Sequence, residues 1–126
     1  MAGRVSFGTL LFVDFFCALT GGLVYHFWGG LIIELFRVSY EVLAFQIAAN
    51  FSYAAFGFTL ILAGHRLRRA WPMLVWMNFA YSIVCFGLSV HFINTSRAPA
   101  ASLLALEGLF IVTLAFYERA ALKATA

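Results

Sequence analysis

The feature that most restricts this chain is a basic run, His65-Arg66-Leu67-Arg68-Arg69, set between two apolar stretches that are each long enough to cross a bilayer. Lys and Arg near the ends of spanning helices stay on the cytoplasmic side, so a loop this dense in charge assigns a side to every other loop. The composition leaves little room for any other setting: of 126 residues, 64% are hydrophobic, 18% aromatic and 10% charged. Soluble domains carry roughly a quarter of their residues as charges, and a chain this poor in them cannot cover itself with a water-facing surface. The net charge of +3 does not point to nucleic acid, because the basic residues flank apolar spans and form no patch interleaved with aromatics. Anionic lipid headgroups are the neighbours such charge suits.

A spanning helix needs about 20 apolar residues, and four stretches qualify: residues 7–28, 42–64, 73–92 and 100–117. Asp14 interrupts the first, and no small-residue cleavage site follows it, so it reads as a helix and not as a secretory leader. Pro72 suits the first turn of the third helix, and Asn94-Thr95-Ser96-Arg97-Ala98-Pro99 marks a turn before the fourth. Between the first and second spans, Glu34, Arg37 and Glu41 recur at helical spacing opposite an apolar face, as in a segment lying in the membrane interface. The expected fold is therefore all-α, a single domain of four transmembrane helices with one interfacial segment.

Counting charges sets the orientation. Arg4, Arg66, Arg68, Arg69, Arg119 and Lys123 share one side, whereas Arg37 and Arg97 hold the other, so both termini are expected in the cytoplasm of a bacterial inner membrane or facing it from the endoplasmic reticulum. This asymmetry argues against an antiparallel dual-topology dimer. Asn94-Thr95-Ser96 matches the glycosylation acceptor pattern on the far side. Cys17 and Cys85 have neither CxxC nor metal-type spacing and are expected as small buried packing residues.

The informative residues are polar ones inside the spans, since a carboxylate at mid-bilayer costs about 2.5–3.5 kcal/mol on insertion scales. Asp14 lies roughly 10 Å from one boundary and Glu107 about as deep from the other. Asn78 is near the level of Asp14 and Asn50 near that of Glu107, which gives two polar layers. Gln46, Asn50, Tyr53 and Gly57 line one face of the second span, and Asn78, Ser82, Cys85 and Ser89 one face of the third. Tyr53 and Tyr81 are placed to link the layers. His26, Glu41, Gln46 and His91 are expected to gather at the far mouth, with Tyr25 and Trp28 in the interfacial aromatic belt. The competing account makes the amides, hydroxyls and even the carboxyls interhelical hydrogen bonds worth about 0.6 kcal/mol each, with the histidines in the interface and the many Phe residues packing or facing lipid.

Four uses fit this column. In the first, an aromatic-walled cavity binds an apolar molecule such as an isoprenoid, sterol or lipid, and Glu107, Asp14 and His91 serve as acid–base groups of an isomerase, cyclase or epoxide-opening enzyme. Asn50, Tyr53, Gln46, Asn78, Tyr81 and His26 then hold the ligand. In the second, Asp14 and Glu107 are stations for a proton or cation in a small transporter, working as a homo-oligomer. The third is a non-catalytic subunit of a larger membrane complex. The fourth, a haem protein with His26 and His91 as axial ligands, fits their shared depth but not their interfacial position. No cofactor or metal is expected: HxxxH, CxxC, Walker and dinucleotide patterns are all absent. The first use is preferred.

Overall fold

The computed structural model describes residues 6–95 and 97–125, and among them every regular element is helical. Arg4 and Ser96, which enter the charge count and the glycosylation pattern, lie outside the described residues. The elements are α1 (Phe7–Phe27), α2 (Gly29–Phe36), α3 (Tyr40–Ala63), a 3₁₀ segment (Gly64–Ala70), α4 (Trp71–Asn94) and α5 (Ala98–Thr125). Three helical stretches are long and apolar enough to cross a membrane: Phe7–Phe27, Tyr40–Asn94 and Ala98–Ala124.

The middle stretch, of 55 residues, is bent by its own sequence. Gly64 takes φ 57° and ψ −133°, a conformation that side chains disfavour, and Leu67 leaves helical geometry at φ −108°, ψ 26°. Pro72 then sits in the first turn of α4, where its missing N–H costs no helical bond. The two limbs fold back on each other, because Tyr53 reaches the Met77 carbonyl and the Tyr53 and Tyr81 rings meet edge to face at 5.7 Å. Serines start two other helices: Ser6 Oγ accepts from the Thr9 N–H and Ser39 Oγ from the Val42 N–H.

The charged face expected on one helix from Glu34 to Glu41 does not form. Helix α2 stops at Phe36, Arg37 turns left-handed at φ 58°, and the Ser39 cap starts a new helix, so Glu34 and Glu41 belong to different elements. At the other end of the chain the helix continues where a tail was expected: α5 runs through Glu118 to Thr125.

Helix α1 packs mainly on α3 and α4 on α5, while α1 and α5 meet over less of their length. Small residues allow the close pairings: a side chain on Gly22 would meet the Phe51 ring at 3.0 Å, and one on Gly108 would meet Cys85 Cβ at 3.2 Å. Two apolar clusters close the ends of the bundle. Beside the basic segment, Phe7 stacks on Trp71 at 4.6 Å among Leu10, Leu60 and Leu74. At the other end Ile32, Val38, Leu43, Phe92 and Leu104 pack together. Large side chains such as Phe16, Trp76, Ile83, Leu106 and Phe116 stand exposed on the outside, as a lipid-facing surface requires.

Candidate functional site

Between the apolar end clusters lie two polar layers. In the first, α4 supplies Asn78 and its amide nitrogen donates to Asp14 Oδ2 on α1 and to Glu118 Oε1 on α5, at 2.7 Å each. One amide thus ties together two carboxyls from different helices. Asp14, Asn78 and Glu118 are all buried, Glu118 completely, and Glu118 Oε2 has no partner.

Glu118 falls just beyond residues 100–117, the bounds expected of the fourth span. The signal that finds it is the rule that finds the other stripes: Glu107, Ile111, Leu114 and Glu118 follow one another at steps of four, three and four, on one face of α5.

In the second layer Glu107 gathers three neutral donors. Tyr25 Oη and Gln46 Nε2 donate to its Oε2 at 2.9 and 2.6 Å, and Tyr81 Oη donates to its Oε1 at 2.9 Å. Gln46 Nε2 also lies 3.4 Å from Tyr25 Oη, and Gln46 Oε1 is buried without a partner. Helices α1, α3 and α4 thus converge on one carboxyl of α5.

Two expectations are corrected here. Asn50 does not reach Glu107: its amide turns back to the Gln46 carbonyl at 2.8 Å beside Gly21, and Gln46, one turn away, makes the bond instead. Tyr25 belongs to this layer and not to an interfacial belt, because its hydroxyl has a buried acceptor to reach.

The histidines stand apart. His26 and His91 are both exposed, with their rings against Phe27 and Phe51 in one case and Phe92 in the other. Glu41 is exposed as well. The cluster expected at the far mouth is absent among the described residues because that end is closed by the apolar residues around Phe92. Ser82 and Ser89 bond the Phe79 and Ala101 carbonyls, as structural hydroxyls do. Of the cysteines, Cys85 is buried in the packing while Cys17 is exposed.

Both layers look onto one cavity of about 400 Å³. Asp14, Asn78, Tyr53, Asn50, Tyr81, Tyr25 and Glu107 give it a polar side, and Ile32, Phe36, Leu103, Ile111 and Leu114 an apolar one. Exposed lining residues mark where it opens: Cys17 and Val24 of α1 and Phe110 of α5, along the seam between those two helices. No Lys, Arg or His lines it among the described residues. Its size falls in the range of small-molecule sites, roughly 300–1,000 Å³. The arrangement can hold a proton at either layer, accept hydrogen bonds from a guest, and enclose an apolar body. Set beside protein families, curated proteins and solved structures, the chain matches none.

Proposed function

We propose that the chain crosses the membrane four times, with the Tyr40–Asn94 stretch making two of the crossings and both termini on the side of the basic segment, and that its cavity binds an apolar or amphipathic small molecule drawn from the bilayer. The observation that carries this reading is a polar chamber shut by apolar packing at both ends and open through its side between α1 and α5. A channel or a simple relay between two aqueous phases needs open ends. A site for a lipid-dissolved molecule needs a lateral door.

Within the chamber Glu107 is the acid–base group. Its three donors fix the carboxyl in place and support it as an anion, so it can take up a proton from a guest and return it. Asp14, backed by Asn78 and Glu118, offers a second exchangeable proton on the same chamber. Two carboxyl centres at different depths would act as acid and base on opposite ends of one substrate, which suits isomerisation or ring closure.

Mass spectrometry of small molecules retained by the detergent-purified protein tests this. A stoichiometric apolar compound is expected in the wild type and should be missing from Ile111→Trp, whose indole fills the chamber. No retained compound in either protein, or equal retention in both, overturns the site. Proton flux into proteoliposomes that Asp14→Asn abolishes would replace this reading with transport.

A further inference from the structure

A second hollow, of about 650 Å³, lies apart from the chamber, where the first turns of α1, the end of α3 and the 3₁₀ segment meet. Leu11, Phe12, Leu60 and Ile61 make its wall apolar on one part. The rest is polar and carries one sign of charge: Arg68, His65 and Ser6 line it, and no Asp or Glu does among the described residues. Trp71 belongs to the same wall and is 7% exposed, and its indole N–H is buried without a partner. Around its ring stand Phe7, stacked at 4.6 Å, the His65 ring at 5.8 Å and the Arg68 guanidinium, 5.8 Å from the ring centroid. Native structures leave few buried donors unmatched, and this one sits on a wall residue beside a permanent cation. Helix α1 also begins here. The Phe7 and Gly8 N–H groups precede its first helical bond, from the Leu10 N–H to the Ser6 carbonyl, so the positive end of the helix dipole meets the same hollow.

We infer that this hollow binds the headgroup of an anionic phospholipid. The site is separate from the chamber and does not depend on the chamber's guest. A phosphate in it meets the Arg68 guanidinium, the Ser6 hydroxyl and the Trp71 indole, and no carboxylate to repel it. The acyl chains continue over Leu11 and Phe12 onto the outer face of α1, where Phe12 and Phe16 stack on each other and stand exposed. A free inorganic anion leaves that apolar part unused. A choline head adds a quaternary ammonium that finds no acid in the wall, so the hollow selects net negative charge and not phosphate alone.

The three tryptophans, Trp28, Trp71 and Trp76, give three indole N–H resonances in proton–nitrogen correlation NMR. Trp28→Phe and Trp76→Phe, at exposed positions, identify the Trp71 resonance by elimination. The whole chain in a neutral detergent is titrated with phosphatidylglycerol, with phosphatidylcholine of the same acyl chains, and with inorganic phosphate. Phosphatidylglycerol is expected to shift the Trp71 resonance saturably, at a mole fraction at least tenfold below that needed of phosphatidylcholine. Equal potency of the two lipids, or no shift of Trp71 by either, overturns the inference. Inorganic phosphate acting as strongly as phosphatidylglycerol reduces the hollow to a site for a free anion and overturns the lipid. In Arg68→Gln the tenfold preference should fall to near one, and its persistence would also overturn the inference. The wild-type titrations decide the matter by themselves if that variant is not recovered as a monodisperse species.

Discussion

Asn78 holds two carboxyls with one amide, and little else in the surroundings can replace it. Lipid gives helices no hydrophobic reason to associate, so polar bonds and close packing carry more of the association than they do in water. Asn78→Ala keeps the helix but leaves Asp14 and Glu118 without their shared donor, at a cost of about 1–3 kcal/mol. The expected result is a lower thermal midpoint by circular dichroism, with Ser82→Ala, whose hydroxyl only bonds its own helix, nearly unchanged. An Asn78→Ala protein as stable as the wild type would mean that the layer is not structural. The meeting of Asp14 and Asn78 was legible from the sequence, because depth along a straight helix is countable at about 1.5 Å per residue. Which of Gln46 and Asn50 would reach Glu107 was not. The two differ by one turn of α3, and the outcome depends on helix rotation and on the closeness of Gly21, which residue counting does not supply.

At the scale of the helix, α5 shows how a local rule hides a larger one. Glu118, Arg119 and Lys123 read as a tail beyond the fourth span, because three charges end an apolar stretch. The helix continues regardless, turning Glu118 and Ala121 inward and Arg119 and Lys123 outward. Ending the chain after Tyr117 therefore removes a buried carboxyl and the Ala121 and Leu122 packing beside Leu74, and should lower the melting midpoint by about 10 °C or more, given about 4–8 °C per kcal/mol for a small domain. Removing only Lys123–Ala126 should leave the midpoint within error, and equal effects would show that the last turns do not pack. The break at Arg37 was hidden for a different reason. Glu34, Arg37 and Glu41 have helical spacing, but a left-handed residue and a serine cap overrule a periodicity sustained over only two turns.

For the whole molecule, the apolar stretches were plain in the sequence because hydrocarbon thickness imposes their length, and the basic run between the second and third was plain because charge does not cross easily. The chamber was not, since it depends on which helices pack closely and which stand apart. On the proposed four crossings, the basic segment would lie on the side of both ends. Single cysteines placed at Leu67, Lys123 and Tyr40 in a background lacking Cys17 and Cys85 should divide accordingly in inside-out vesicles, with the first two labelled by a membrane-impermeant maleimide and the third protected. Labelling of Tyr40→Cys together with Leu67→Cys would require three crossings or a re-entrant hairpin.

Helix α1 packs on α3 through glycines and over less of its length on α5, and the proposed site opens along that second joint, toward what would be lipid. On the proposed function, a guest leaving by that route would first have to push acyl chains aside. How long it stays is then set by the stiffness of the surrounding bilayer as well as by its own affinity, and a more ordered membrane would slow its departure without altering any contact in the protein.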